Sequence, residues 1–442
     1  MPSVTSLFRN HVRWLLIAWM FVISAVAYLD RVNISIAGGL IQQEYHLDQI
    51  QLGRVFAAFV WGYALSQPLG GRLADRFGPR LILAFGTIWW AIFTSLTATV
   101  PANLGFALLV LITVRFLLGI GEAVVYPSSN RLVASWIPSK ERGIANGWIF
   151  AGVGAGAGVT PPLITYILLH YGWRWSFWAS AIIGLLAGVV WFLIARDKPE
   201  QHPLVDPEEA AYIRTGLPPA VSSKKPLAWK KIFTSKDVWA LTFSYFCYGY
   251  VAYIFFTWFF IYLNNVRHLN LKTSSYYSML PFVAMAICSI VGGWVSDRLI
   301  ASAGQRIGRC VLACAAMLLC ALFLAWGSHV TDARVASVFL AGGAGALYLS
   351  QSSFWSVSSE MAGTSAGSVS GVMNMGNQIG GALTAQLTPI IAKSFGWGTP
   401  FLVAATLCAM GAVLWLVVDA KRGLTHLSGD TGVRLNTAGA QQ

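Results

Sequence analysis

The longest stretches of this chain are too apolar for a soluble fold. Residues 81–100, 179–194, 311–326 and 401–418 contain no charged side chain, and each approaches the roughly 20 apolar residues that a helix needs to cross a bilayer core about 30 Å thick. Over the 442 residues only 11% are charged, against about 25% in an ordinary soluble domain. Most of the surface must therefore face something other than water. Lipid offers no partner to a backbone N–H or C=O, so the spanning segments are expected to be helical.

Twelve spans are predicted, at about 14–36, 50–71, 79–100, 104–128, 142–169, 173–195, 238–264, 274–296, 308–327, 333–358, 363–393 and 397–419. The first carries Asp30 and Arg31 and runs on to Ile36 without a small-residue cleavage site, so it is expected to be retained. Between the sixth and seventh spans the composition changes. Pro199, Pro203, Pro207, Pro218, Pro219 and Pro226 interrupt a charged stretch that reads as a linker. The expected organisation is an N-terminal six-helix bundle (1–195), a linker (196–237), a C-terminal six-helix bundle (238–422) and a polar, disordered tail (423–442).

The net charge is +13. The excess lies in alternate loops: Arg72, Arg76, Arg80, Arg131, Lys140, Arg142, Arg298, Arg306 and Arg309 fall on the linker side. Only Arg54, Arg174, Arg267, Lys272, Arg334 and Lys393 fall on the other. This is the positive-inside pattern, and it puts the linker and both termini in the cytoplasm, with no role for nucleic acid. The six cysteines all lie in apolar segments without histidine company and read as packing residues. No metal or other cofactor is expected.

The two halves echo each other. Gly70-Gly71-Arg72-Leu73-Ala74-Asp75-Arg76 follows the second span, and Gly292-Gly293-Trp294-Val295-Ser296-Asp297-Arg298 follows the eighth. Gly172-Trp173 and Gly396-Trp397 precede the sixth and twelfth. Six spans per half make the repeat parallel, with its axis along the membrane normal. The run from Gly71 to Arg80 resembles the signature loop of the major facilitator superfamily. The resemblance extends over essentially the whole chain and implies an all-α, twelve-helix fold of two bundles. The shared loop residues, Gly71, Asp75, Arg76 and Arg80 with Asp297 and Arg298, read as a conformational latch. In it, Asp75 caps a neighbouring helix N-terminus and pairs with an arginine.

Charge inside the membrane is costly and points to function. Of the acidic residues only Asp30 and Glu122 lie well inside predicted spans. Arg31 adjoins Asp30, and Arg115 precedes Glu122 by seven residues, two turns along one helix face. The second half has no counterpart and offers polar neutral residues: Ser350, Gln351, Ser352, Ser353, Trp355, Asn374, Asn377 and Gln378. Ser352 and Trp355 are one turn apart, and Asn374 and Gln378 share a face, which makes these four candidates for the substrate wall.

Tyr28-Leu29-Asp30-Arg31-Val32-Asn33, together with the segment from Arg115 to Ala123, resembles the anion:cation symporter family, which includes sugar-acid transporters, sialin and vesicular glutamate transporters. The resemblance implies proton-coupled transport of carboxylates. By position, Asp30 and Glu122 resemble the family's proton-coupling acids and Arg31 and Arg115 its charged binding residues. Tyr28, Tyr63 and Asn374 resemble cavity residues. Val153 departs from the pattern, standing in a glycine-rich fifth span where sugar-acid members tend to carry an amide.

The expected function is proton symport of a small organic anion by alternating access. A sugar acid such as an aldonate, hexuronate or aldarate is the first expectation, and Val153 leaves an aromatic or short aliphatic acid open. Anion exchange is the alternative, with the carboxylates as structural partners of the arginines. An enzyme is not expected: no histidine lies in a span, and the polar segments are too short for a catalytic domain. The short loops fit a bacterial inner membrane, and a monomer is expected.

Overall fold

The computed structural model describes residues 11–47, 49–217, 227–259, 262–269 and 271–419. The expected tail at 423–442 lies outside them. The first bundle comprises α1 (Val12–Glu44), α2 (Gln49–Phe77), α3 (Pro79–Thr99), α4 (Ala107–Glu122) continued by α5 (Val125–Trp136), α6 (Arg142–Tyr171) and α7 (Trp173–Ile194). The second comprises α10 (Lys236–Thr257), α11 (Leu271–Ala303), α12 (Leu312–His329), α13 (Ala333–Leu349) continued by α14 (Gln351–Ala362), α15 (Ala366–Phe395) and α16 (Gly398–Leu414). Counting α4–α5 and α13–α14 as one span each gives twelve, six per half.

Large apolar side chains cover the outer surface. Leu69, Leu193, Leu322 and Trp326 are each more than 60% exposed, an arrangement that water would oppose and lipid tolerates. Between the halves, small residues let backbones touch. A Cβ on Gly71 would lie 1.9 Å from the carbonyl oxygen of Gly367, and one on Gly293 would lie 2.2 Å from that of Gly143. Helix α2 thus packs on α15, and α11 on α6. Within α6, Gly152 and Gly156 face backbone carbonyls of α1, and Gly154 that of Phe282 on α11. These three glycines of the fifth span serve helix packing.

Several span ends differ from the sequence reading by up to eight residues, and three further differences bear on the site. The predicted loop after the second span is mostly helix, since α2 runs through Asp75 to Phe77. The chain turns only at Gly78, whose φ of +89° favours glycine, and Pro79 then starts α3. The fourth and tenth spans are each broken near mid-length, at Ala123–Val124 and at Ser350. The linker contains two helices of its own, α8 (Pro207–Gly216) and α9 (Trp229–Thr234). Helix α8 begins at an Asp206 cap and carries Glu209, which accepts hydrogen bonds from the backbone N–H groups of Val12 and Arg13 (3.1 and 3.3 Å) and pairs with Arg13 (3.0 Å). These contacts tie the linker to the start of α1.

Candidate functional site

The centre of the first bundle holds four charged side chains. Asp30, Arg115 and Glu122 are 1–2% exposed, so each depends on its neighbours for stabilisation. Arg31 Nε donates to Glu122 Oε1 at 2.6 Å, joining α1 to α4. The Arg31 guanidinium also lies over three rings, Tyr63 (4.2 Å), Tyr28 (4.9 Å) and Phe59 (5.3 Å). Asp30 turns the other way, toward α3, where its Oδ2 accepts from Trp90 Nε1 (2.7 Å) and Thr94 Oγ1 (2.9 Å). Arg115 lies over Phe59 (5.0 Å). Its Nε and Nη1 have no hydrogen-bond partner among the described residues, and neither do Glu122 Oε2, Asp30 Oδ1 and the Tyr63 hydroxyl.

A small cavity of about 20 Å³ lies beside this cluster. Its wall from the first half is Tyr28, Tyr126, Phe150 and Val153. From the second half come Tyr245, Tyr248, Tyr253, Phe256, Tyr348, Gln351, Trp355, Asn374, Asn377 and Gln378, with Ala252. No charged side chain is among the described residues that line it. Tyr28 joins the two environments, since its ring both lines the cavity and stacks on Arg31.

The neutral wall is tightly cross-linked. Trp355 is 1% exposed and packs on Phe150 (4.9 Å) and Tyr126 (5.7 Å) across the interface between halves. Its Nε1 and Gln351 Nε2 both donate to the Tyr245 hydroxyl, each at 2.9 Å. Tyr253 donates to Gln378 Oε1 (2.5 Å), and Asn377 Nδ2 to Asn374 Oδ1 (3.3 Å). Asn377 and Gln378 therefore both reach the cavity. Ser352 is buried nearby without lining it; Gln351 takes that place beside Trp355. Glu122 ends α4 and Gln351 begins α14, so corresponding helix breaks in the two halves carry a carboxylate and an amide. Broken spans at matching positions are where this kind of repeat places its binding site.

At the linker side, two carboxylates reach across from one half to the other. Asp75 accepts from Gly367 N (2.9 Å), Ser368 N (2.7 Å) and Ser368 Oγ (2.5 Å) at the start of α15. Asp297 accepts from Gly143 N (2.9 Å) and Ile144 N (2.7 Å) at the start of α6. Each meets the positive end of a helix dipole. Their cations are Arg131 (3.7 Å) and Arg309 (2.9 Å). Arg76 and Arg298 are exposed and lie over their neighbours Phe77 and Trp294. Arg80 lies over Phe192 and donates through Nε to the Phe192 carbonyl.

Sequence reasoning missed Trp90, Thr94, Tyr245, Gln351, Arg131 and Arg309 as site residues. Trp90 and Thr94 are four apart on one face of α3, but among 19 tryptophans that spacing carries no signal. Arg131 and Arg309 were legible only as loop charge.

Two repeated six-helix bundles with an apolar outer surface and a buried charge cluster are the architecture of a membrane transporter. The chain belongs to the Major Facilitator Superfamily, whose model matches residues 20–385. It is 32% identical over 417 residues to a probable sulfoacetate transporter of Cupriavidus necator, covering 93% of this chain and 95% of that protein. It is 29% identical to a hexuronate transporter of Bacillus subtilis, covering 90% and 92%. Its fold is similar to that of the proton:xylose symporter XylE, with a TM-score of 0.75 at 14% identity over 95% and 99% of the two chains.

Proposed function

We propose that this protein takes up a small organic anion together with protons, by alternating access in a bacterial inner membrane with its linker on the cytoplasmic side. One observation carries the reading: Glu122 holds Arg31 beside a narrow cavity walled by phenols and amides from both halves, while Arg115 keeps unpartnered N–H groups. A proton arriving on Glu122 weakens its pairing with Arg31. The freed guanidinium, which lies over the cavity-lining ring of Tyr28, then takes the carboxylate of the substrate. The amides and phenols of the second half bind the neutral remainder, with Asn374, Gln378 and Trp355 at the wall. Closure around the ligand releases the Asp75 and Asp297 contacts and opens the linker side. Loss of the proton there returns Arg31 to Glu122 and expels the anion.

The relatives named as carrying sulfoacetate and hexuronate support an organic acid. A sugar acid, whether aldonate, hexuronate or aldarate, suits the four amides. Val153 on the wall favours an aromatic or short aliphatic acid instead.

The test is uptake by proteoliposomes of labelled glucuronate, galactonate, glucarate, sulfoacetate and benzoate, with and without an imposed inward proton gradient. Gradient-driven accumulation of one acid is expected. Glu122→Gln should abolish accumulation and retain exchange of internal for external substrate. Uphill uptake surviving in Glu122→Gln refutes the assignment. Uptake that ignores the gradient but responds to internal anion establishes exchange, with Glu122 a fixed partner of Arg31.

A further inference from the structure

Where the linker meets the second bundle, four aromatic rings form a continuous ladder. Trp229 stacks on Phe233 (5.5 Å), Phe233 meets Trp239 (6.3 Å), and Trp239 stacks on Phe243 (5.6 Å). The first pair belongs to α9 and the last to α10, and the members of each are four residues apart on one helix face. Ile232 is fully buried, and Trp239 Nε1 donates to the Phe233 carbonyl (2.8 Å), so α9 is fixed to the bundle. Phe233 is 42% exposed and Phe243 55%. Phe243 stands on a spanning helix, about 10 Å past its first residue, and so faces lipid. The ladder carries that apolar surface out to α9, at the level of the headgroups. Aromatic rings are favoured at that depth, with one side apolar and the other wet.

The exposed charge on α9 and the first turn of α10 is of one sign. Lys230 and Lys236 are exposed, while Asp237, the one acid in this stretch, is buried and accepts from the backbone N–H of Asp419 (3.0 Å). Arg72, from the first bundle, lies over the Trp229 ring at 5.7 Å. An apolar face flanked by cations fits a surface that is apolar beneath and negative on top, and a leaflet containing anionic phospholipid is such a surface.

The same stretch bridges the two halves. The Leu227 carbonyl accepts from Arg72 Nη1 on α2 (2.5 Å), and the Leu227 N–H donates to Ser365 Oγ, just before α15 (2.8 Å). Helices α2 and α15 are the pair that touch through Gly71 and Gly367. Parting them breaks at least one of the two Leu227 bonds.

We propose that α9 and the start of α10 are a docking surface for anionic phospholipid, and that lipid held there steadies Leu227 and Trp229 against Arg72, favouring closure of the linker side. The surface lies outside the central cavity, and the inference does not depend on which solute is carried.

The deciding experiment uses no substrate, so its failure is separable from failure of the transport reading. The full chain is reconstituted in nanodiscs of phosphatidylcholine, alone or mixed with phosphatidylglycerol. Retained lipid is counted by native mass spectrometry, and closure is read by maleimide labelling of a cysteine placed at Ser370. Phosphatidylglycerol should be retained in preference, and labelling should be severalfold slower in the mixed discs. The paired change Lys230→Gln and Lys236→Gln, at exposed positions, should lower phosphatidylglycerol retention and return labelling to the rate in phosphatidylcholine. The proposal is overturned if phosphatidylglycerol is retained no better than phosphatidylcholine, if the paired variant retains as much of it, or if labelling is equal in the two kinds of disc. It is also overturned if inorganic phosphate added to phosphatidylcholine discs slows labelling as much as the anionic lipid, since the ligand is then a soluble anion.

Discussion

The two carboxylates that cross between the halves stand in the same sequence motif and meet the same kind of target, yet they are held differently. Asp75 relies on hydrogen bonds: three donors at the start of α15 reach it, and Arg131 stands off at 3.7 Å. Asp297 relies on charge. Arg309, fully buried, binds Asp297 and Glu360 together and adds Ser296 Oγ and the Ser139 carbonyl. A motif therefore fixes where the carboxylate goes and leaves the cation to the surrounding helices. The same division holds at midplane, where one half supplies charge and the other neutral donors at matching breaks.

The largest expected effect comes from removing the hub of the second latch. Arg309→Met takes from Asp297 and Glu360 the buried cation that pairs with both, a loss of about 3 kcal/mol or more, visible as a lower melting temperature and poor recovery of monodisperse protein. If Arg309→Met melts no lower than Arg131→Met, the contrast between a charge-held and a hydrogen-bond-held latch is wrong. Next come the carboxylates themselves. Asparagine offers one acceptor where two backbone N–H groups converge, at about 1–2 kcal/mol for the unmatched donor. Asp75→Asn should open the linker side more than Asp297→Asn, since Glu360 still holds Arg309 in the latter. Maleimide labelling of a cysteine placed at Ser370 reads this directly, and equal labelling in both variants would remove the distinction. The smallest effect is Arg131→Met: the pair is loose at 3.7 Å, and three hydrogen bonds at the start of α15 still hold Asp75. Its labelling should stay close to that of the unchanged protein.

Much of the fold was legible because lipid imposes strict rules. Apolar length gave the spans, the Gly-Gly-…-Asp-Arg echo gave the repeat, and uncompensated intramembrane charge singled out Asp30, Arg31, Arg115 and Glu122. Partners were far less legible. Asp30 and Arg31 are adjacent in sequence, yet on a helix consecutive side chains diverge by about 100°, so one turns to α3 and the other to α4. The arginine beside each latch aspartate in the motif is the wrong one, because Arg76 and Arg298 follow their aspartates directly and point outward. Gln351 rather than Ser352 lines the wall beside Trp355, a choice of helix face that spacing within the span left open.

The sequence by itself determined the lipid-facing helices, the duplicated architecture and the four charges that must be paired, since apolar length, repetition and buried charge are properties of residues in order. Only the tertiary structure decided that Arg31 holds Glu122, that Trp90 and Thr94 donate to Asp30, and that Arg309 rather than Arg298 pairs with Asp297. Those choices depend on helix rotation and crossing, which backbone contacts such as Gly71 on Gly367 set across hundreds of residues, and which no local pattern in the chain encodes.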